Sequence, residues 1–397
     1  MSDAVAPVTP IRHRVVVIGG GNGGVSIAAR LRRRGVTDIA IVEPRGAHHY
    51  KPLFSHVAGG TARASETVRS QRSVIPPGVR WIRDAVAEVP PEDHAVSLSD
   101  GTRVEYDQLI VSPGIQLDWD RIPGLAAALD TPAVSSHYRF DLAKKTSRLL
   151  RDVTSGTVVF VQPDGPASCA GAGQKPMYQA CDYWRARGVL GDIRVVLVVP
   201  TRTVFLAPFD EELERKIAEY GIELRTSTTL AAVDGEAQTL TLDGPGGRED
   251  LAFDVLNVEP PQSAPDWLKA SALPATGDDG GFVEVDPGRS GIRASPTSGR
   301  SATRRRAPTP SAAALCASRR GRWRRTSSPS SRAARHPLAT TATACARSRC
   351  RDRASCGRSS TTTVRRSPRS RSSAGCTARA GCHGSPTGTS SPGSTGT

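Results

Sequence analysis

Three glycines near the start of the chain have the spacing of a dinucleotide-binding loop. Gly19, Gly21 and Gly24 form a G-x-G-x-x-G pattern between an apolar run and a helical pattern. The first glycine permits a tight turn, the second lets the backbone approach a pyrophosphate, and the third lets the helix pack closely on the strand. The helix N-terminus offers free N–H groups and a partial positive charge to phosphates. The loop therefore predicts a dinucleotide site, which also includes Asn22 and Gly23.

Two further features indicate which dinucleotide this loop would bind. Glu43 ends the second apolar run. Its carboxylate can accept hydrogen bonds from both ribose hydroxyls, and it disfavours a 2′-phosphate. Residues 105–114 resemble the second flavin motif of flavoproteins with two dinucleotide domains, in which Gly114 would lie beside the cofactor. This resemblance favours FAD over NAD at the first site.

A cysteine in the middle of the chain has the surroundings of a reactive thiol. Cys169 lies just before a predicted helix whose early turns carry Lys175. A helix N-terminus and a nearby cation both favour the thiolate, which is the nucleophilic form. The alternative is a buried, inert cysteine, and the helical spacing of Cys181 fits such a core position. We expect Cys169 and Lys175 to be the catalytic residues, and we predict no metal site.

Alternating strands and helices must position these residues. Residues 14–18, 25–34 and 39–42 have the pattern of a β-α-β unit, and residues 157–226 contain a second α/β segment. After the first strand of that segment, residues 162–166 (Gln-Pro-Asp-Gly-Pro) stand where a second glycine-rich loop would be. Two prolines remove N–H donors from this position. We therefore expect two Rossmann-like, three-layer α/β domains and an electron donor other than a nicotinamide.

The expected domain organisation has three parts. Residues 10–125 form the FAD-binding domain, to which residues 280–288 return, and residues 126–279 form the second Rossmann-like domain. Residues 289–397 form an Arg/Ser-rich tail that contains six of the eight cysteines and one acid, Asp352. The tail has too few apolar side chains to offset the entropy cost of ordering, about 1–2 kcal/mol per residue. It is therefore predicted to be disordered.

The net charge of +15 comes from this tail, and the residues before it carry a net negative charge. A basic arm can bind nucleic acid through phosphates, but the tail has a single aromatic residue, Trp323, and no Arg-Gly-Gly repeat, so no specific nucleic-acid partner is expected. Cys376, Cys382 and His383 lie close together but lack the C-x₂-C pair of a zinc module. No signal peptide and no apolar run of the roughly 18 residues needed for a membrane span are apparent. The expected location is cytoplasmic, or peripheral on the inner membrane.

Residues 169–178 (Cys-Ala-Gly-Ala-Gly-Gln-Lys-Pro-Met-Tyr) resemble a segment of the sulfide:quinone oxidoreductase family, in the branch that includes the mitochondrial enzymes. The likeness runs over residues 14–288 and includes Lys51 and Pro52, which we expect to contact the cofactor. It implies that sulfide attacks a sulfur bridge between two cysteines, the first matching Cys169, and leaves a persulfide. Two electrons then pass through FAD to a quinone, and an acceptor such as glutathione, sulfite or sulfide removes the sulfane sulfur. Asn257 and Glu259 depart from the His and Thr that the family more often has.

The tail does not continue this resemblance. The family proceeds to a Gly-Asp flavin segment, a second cysteine and amphipathic helices that dock on the membrane, and none of these is present after residue 288. Read one nucleotide out of register in GC-rich codons, residues 289–304, 340–347 and 359–364 can encode family segments in the right order. We therefore predict a reading-frame shift at this point and an impaired chain. The alternatives are an FAD-dependent NADH:quinone oxidoreductase and a basic-tailed nucleic-acid-binding protein.

Overall fold

A computed structural model describes residues 11–90, 93–275, 277–278 and 280–283, together with the backbone of residues 315–318. The strands, in chain order, are β1 (Ile11–Ile18), β2 (Ile39–Val42), β3 (Ala47–His49), β4 (Val68–Ser70), β5 (Val79–Ile82), β6 (Val86–Glu88), β7 (Ala95–Leu98), β8 (Arg103–Val111), β9 (Gln116–Leu117), β10 (Val134–Ser135), β11 (Gly156–Val161), β12 (Ile193–Val198), β13 (Glu223–Arg225), β14 (Thr229–Asp234), β15 (Thr239–Gly244), β16 (Gly247–Ala252), β17 (Val255–Val258), β18 (Gln262–Ser263) and β19 (Leu315–Ser318). The helices are α1 (Asn22–Arg33), α2 (Phe54–Ala58), α3 (Gln71–Val74), α4 (Leu125–Ala128), α5 (Phe140–Asp152), α6 (Gln174–Ala186), α7 (Asp210–Tyr220) and α8 (Asp266–Lys269).

The first sheet carries the glycine-rich loop at the end of its central strand. Its strand order is β5-β2-β1-β8-β7-β6, with β5, β2, β1 and β8 parallel and β7 and β6 antiparallel. Along β1, Val16 and Ile18 enter one apolar cluster while Val15 and Val17 enter another on the opposite face. Because both faces are covered there, residues 15–18 of the strand are all apolar, as in parallel strands between helical layers. The β1-α1-β2 unit is the one the sequence predicts.

The second sheet has five parallel strands in the order β10-β17-β11-β12-β13. On one face of β11, Val158 and Phe160 pack with Met177 and Trp184 of α6. On the other face, Val159 packs with residues of α4 and of the antiparallel β14-β15-β16 sheet. The predicted fold class, an α/β chain with two Rossmann-like domains, is confirmed.

Some elements differ from the sequence-based expectation. The helix α5 and the strands β10 and β16 were not predicted, and the buried residues of α5 and β10 include the polar Thr146 and Ser135. The segment expected to return to the first domain, residues 280–288, is described only to Val283, which forms an isolated bridge with Pro274 and packs on the first-sheet core. Residues 315–318 of the tail, expected to be disordered, form the strand β19 beside β8. The rest of the tail lies outside the described residues.

None of the described helices combines the length and the apolar character that crossing a bilayer requires.

Candidate functional site

The glycines of the glycine-rich loop differ in what surrounds them: two are in close backbone contact, and one borders open space. Gly19 has φ +95°, and a Cβ there would lie 2.1 Å from the carbonyl oxygen of Ser112; a Cβ on Gly24 would lie 1.8 Å from the carbonyl oxygen of Gly19. Both positions therefore require glycine for the fold itself. A Cβ on Gly21 would meet no described atom within 4 Å, and Gly21 precedes α1 without capping it through a side chain. The first-turn N–H groups of α1 thus border open space.

Glu43 lies directly against this loop. Its Oε2 accepts a hydrogen bond from the backbone N–H of Gly20 at 2.9 Å, and its Oε1 accepts one from the N–H of Arg45 at 3.0 Å. The indole N–H of Trp81 donates to the Glu43 carbonyl oxygen at 2.8 Å. The carboxylate therefore stands just after β2 and beside the glycine-rich loop that leads into α1.

Two polar residues that the sequence analysis did not identify, Gln71 and His48, contact the glycine-rich loop through hydrogen bonds. Gln71, which is buried, donates from Nε2 to the carbonyl oxygen of Gly20 at 2.9 Å, and Nδ1 of His48 lies 3.1 Å from the same oxygen. Nε2 of His48 lies 3.0 Å from Oδ1 of Asn22. These contacts come from α3 and β3 and have no sequence motif, so only the folded structure identifies them as supports of the glycine-rich loop.

Lys51, Pro52 and Gly114 are brought to the same side of the first sheet. Lys51 and Pro52 begin a 3₁₀ turn after β3. Lys51 is exposed; partial desolvation and then the charge of Arg45 lower the pKa of its amine, while Glu43 acts in the opposite direction. Gly114, with φ +81°, follows β8, and a Cβ there would meet no described atom within 4 Å. The edge where β1, β2 and β8 end is therefore lined by open glycines, one carboxylate and one amine.

Cys169 lies on the loop between β11 and α6, at the corresponding edge of the second sheet. Its thiol is exposed, and Nζ of Lys175 lies 3.9 Å from its Sγ. The N–H of Ala172 donates to the Cys169 carbonyl oxygen at 3.0 Å, which forms a turn that leads into α6. Cys181 is buried in the core beneath α6, and burial raises the pKa of its thiol to about 12. The two cysteines thus have opposite environments, one accessible beside a cation and one sealed in an apolar core.

A short ladder joins the Cys169 loop to the Gly114 loop. Gln262 accepts a hydrogen bond on Oε1 from the N–H of Ser168 at 2.7 Å. Gln262 also pairs with Leu117, in the two-residue antiparallel ladder between β18 and β9. The N–H of Asp118 donates to the carbonyl oxygen of Pro261 at 2.9 Å. The residue before Cys169 and the residues after Gly114 are therefore fixed to the same two-residue strand.

Glu259 is a fully buried carboxylic acid that Gln262 links to Ser168, the residue before Cys169. Its Oε1 accepts hydrogen bonds from the hydroxyl of Tyr138 and from Nε2 of Gln262, the latter at 3.1 Å. Its Oε2 has no hydrogen-bond partner among the described residues. Burial raises the pKa of Glu259 to about 7, although the hydrogen bonds and the charge of Lys175 favour the carboxylate. The pKa of Tyr138 is raised well above its ordinary range, first by burial and then by Glu259.

The N-terminus of α6, where a second dinucleotide would place its phosphates, is filled by side chains. Gln162 donates from Nε2 to the carbonyl oxygen of Ala170 at 2.7 Å, and Gln174 donates to the carbonyl oxygen of Val204 at 2.8 Å. A Cβ on Gly173 would lie 2.9 Å from both the Gln162 side chain and Oε2 of Glu259. A pyrophosphate here would meet packed side chains and a carboxylate instead of free N–H groups.

Comparison with known proteins identifies a family. Residues 13–287 match the family described as "Pyridine nucleotide-disulphide oxidoreductase". The chain is 36% identical to the mitochondrial sulfide:quinone oxidoreductase of Mus musculus over 279 residues, which cover 69% of this chain and 61% of the relative. It is 32% identical to the mitochondrial sulfide:quinone oxidoreductase of Dictyostelium discoideum over 281 residues, with the same coverage of both chains. The chain therefore spans about three fifths of the length of these relatives.

A solved structure shares the fold. The crystal structure of the sulfide:quinone oxidoreductase from Aquifex aeolicus superposes with a TM-score of 0.58 at 17% sequence identity and covers 66% of this chain and 62% of that chain. At this identity the likeness concerns the arrangement of the two Rossmann-like domains.

The burial of Glu259 predicts how the stability of the protein changes with pH. In Glu259→Gln, the free energy of unfolding relative to the natural chain is expected to rise between pH 4.5 and pH 7, the ordinary and the native pKa of Glu259. In that window the native state holds a proton that the unfolded state releases, so the natural chain loses stability as the pH increases. Above pH 7, the gain in unfolding free energy of Glu259→Gln over the natural chain levels off at about 3 kcal/mol. Urea denaturation of both chains across this range measures it, and a difference that does not change with pH contradicts the assignment.

Proposed function

Because the chain belongs to the pyridine nucleotide-disulphide oxidoreductases and, within them, to the sulfide:quinone oxidoreductase family, we propose that it is built to oxidise sulfide at Cys169 with FAD as cofactor and a quinone as electron acceptor. The observation that carries the proposal is the 3.9 Å approach of the Lys175 ammonium to the Cys169 sulfur, on a loop tied through Gln262 to the flavin-side loop after Gly114.

The residues at the first sheet edge fit FAD. The free N–H groups at the start of α1 and the open Cβ position of Gly21 would receive the pyrophosphate. Glu43 would accept from the ribose hydroxyls, and Lys51 and Gly114 would border the remainder of the cofactor. When bound, FAD would supply the two-electron chemistry that protein side chains lack.

The roles of Cys169 and Lys175 follow from their chemistry. The ammonium of Lys175 stabilises a sulfur anion at Cys169, whether a thiolate or a persulfide. Because Cys169 is exposed, sulfide could attack a sulfur bridge between Cys169 and the second cysteine of a frame-restored chain and leave a persulfide on Cys169. The displaced thiolate of the second cysteine would then pass two electrons to FAD, and a nucleophile such as glutathione, sulfite or a second sulfide could remove the sulfane sulfur. Cys181 takes no part, since burial keeps its thiol protonated.

The geometry argues against the alternative of an NADH:quinone oxidoreductase. Such an enzyme needs a second dinucleotide site at the N-terminus of α6, which here holds Gln162, Gln174 and the Glu259 carboxyl group. The other alternative, a nucleic-acid-binding tail, concerns residues that lie outside the described part of the chain, apart from the backbone of residues 315–318.

We also propose that the chain as written is impaired. The match to the family ends at residue 287, and the tail carries no counterpart of the second cysteine, the Gly-Asp flavin segment or the membrane-docking helices that the family resemblance implies. Peripheral contact with a membrane, where a quinone would be met, is therefore proposed only for a chain whose reading frame is restored after residue 288.

Substitutions of Gly21 and Gly24 should have different effects, the first on FAD binding and the second on folding stability. In the frame-restored chain, Gly21→Ala is expected to weaken FAD binding by about tenfold or more, because a methyl group would occupy the space for the pyrophosphate. A tenfold loss of affinity corresponds to about 1.4 kcal/mol of binding free energy. It should leave the unfolding free energy of the FAD-free protein nearly unchanged. Gly24→Ala should destabilise that protein by several kcal/mol, because its Cβ meets the carbonyl oxygen of Gly19. Flavin titration and urea denaturation measure the two effects, and equal FAD affinity in Gly21→Ala would place the cofactor elsewhere.

The proposed chemistry is tested by comparing the chain as written with the frame-restored chain. The chain as written should bind less than one FAD per protein and show no sulfide-dependent quinone reduction. The frame-restored chain should bind stoichiometric FAD, and sulfide should bleach its visible flavin absorbance.

The matched control is Cys169→Ser in the frame-restored chain, which should keep FAD and lose the sulfide response. Cys181→Ser should retain that response. Sulfide turnover by the chain as written, or by Cys169→Ser, would contradict the proposal.

A further inference from the structure

Glu259 is a buried acid that takes no direct part in the proposed sulfide chemistry. It follows β17 directly, and its backbone N–H donates to the carbonyl oxygen of Val161 at 2.9 Å. The residue is fully buried. Because burying a carboxyl group costs free energy unless its oxygens receive hydrogen bonds, the groups that donate to Glu259 indicate what it does.

The side chain of Gln262 connects Glu259 to the loop that carries Cys169. Its Nε2 donates to Oε1 of Glu259 at 3.1 Å, and its Oε1 accepts from the backbone N–H of Ser168 at 2.7 Å. An amide has one donor end and one acceptor end. If the buried amide of Gln262 were turned over, its NH₂ group would face the N–H of Ser168 and its oxygen would face the oxygen of Glu259. The Glu259 oxygen therefore determines that the acceptor end of Gln262 faces Ser168.

The carboxyl group of Glu259 also lies against the far end of the same loop. A Cβ on Gly173 would lie 2.9 Å from Oε2 of Glu259 and 2.9 Å from the Gln162 side chain. The segment that contains Cys169 is thus held at its start through Gln262 and packed against Glu259 at its end.

Building on the proposed role of Cys169, we propose that Glu259 is a positioning residue that orients the Gln262 amide, holds the N–H of Ser168 through it, and so sets where the loop presents the Cys169 sulfur. The interaction does not require a charge on Glu259. Its Oε1 remains an acceptor when a proton occupies Oε2, which has no hydrogen-bond partner among the described residues. The hydrogen bond to Ser168 is therefore expected to persist on both sides of neutral pH.

Hydrogen–deuterium exchange of the Ser168 amide tests this on the full chain, without flavin or sulfide. Exchange of a hydrogen-bonded amide reports how often that bond opens, and mass spectrometry with electron-transfer fragmentation resolves single amides. Gln262→Leu removes the acceptor and should accelerate exchange of Ser168 about tenfold or more. Glu259→Leu leaves the Gln262 amide without its orienting partner and should accelerate it about three- to tenfold. The double variant should exchange no faster than Gln262→Leu alone, because Glu259 acts through Gln262.

The conservative variant Glu259→Gln should keep the exchange rate of Ser168 within about twofold of the natural chain, both below and above neutral pH. Tyr138 and Gln262 both donate to Oε1 of Glu259, so the oxygen of the new amide would take the place of Oε1. A merely structural need for the carboxylate would instead make this variant resemble Glu259→Leu.

The matched control lies at the opposite end of β17. Thr157 donates from its backbone N–H to Oδ2 of Asp254, the residue before β17, also at 2.7 Å. Asp254→Ala should accelerate exchange of the Thr157 amide and leave that of Ser168 unchanged. The Glu259 and Gln262 variants should do the reverse.

An unchanged exchange rate of Ser168 in Glu259→Leu would overturn the proposal, as would additive effects in the double variant or an equal acceleration of Thr157. In the FAD-loaded, frame-restored chain, Glu259→Leu should slow the bleaching of the flavin by sulfide about tenfold or more at unchanged FAD content, and Glu259→Gln should not. An undiminished rate in Glu259→Leu would show that the hydrogen bond to Ser168 does not position the sulfur.

The exchange measurement separates this proposal from the proposed function. Because it uses no sulfide, a natural exchange rate in Glu259→Leu would reject the positioning role and leave the sulfide chemistry standing. A sulfide response retained by Cys169→Ser would reject that chemistry, while the exchange rates would still report the link from Glu259 through Gln262 to Ser168.

Discussion

The candidate site depends on a ladder of two residue pairs between β9 and β18. The Cys169 loop belongs to the second sheet and the loop after Gly114 to the first, and each sheet has its own apolar core. The Gln262 side chain and the backbone pairing of Gln262 with Leu117 bring the two loops into one hydrogen-bonded assembly. A reactive sulfur can exchange electrons with a flavin only if the two are held in contact, and this ladder is one described connection that would hold them.

The second domain has kept the Rossmann topology without an open dinucleotide site. In this fold the carboxyl ends of parallel strands and the following helix N-terminus form a natural anion site. Here the N-terminus of α6 faces Gln162 and the carboxyl group of Glu259. The same geometry that would receive a nicotinamide dinucleotide in a relative instead supports a loop with an exposed cysteine. This agrees with the general rule that proteins of one fold can carry different functional sites, so that the fold alone does not determine the function.

The sequence predicts the parts of the site that depend on local residue type. The glycine-rich loop, Glu43 and the contrast between Cys169 and Cys181 can be read from short segments, because strand ends and helix starts place them. Gln262 and Glu259 cannot be found in this way. The hydrogen bonds that define their roles join residues 94 and 121 positions apart. A buried glutamate directly after β17 looks like a departure from the family until Tyr138 and Gln262 are seen around it.

A crystal structure of the frame-restored chain with bound FAD tests the central claim most directly, through the distance between the Cys169 sulfur and the isoalloxazine ring. The account predicts that the Gln262 ladder is intact and that the sulfur lies within about 4 Å of the ring or is joined to it through one bridging sulfur species. A flavin ring bound well beyond contact distance of Cys169, with the ladder intact, would contradict it.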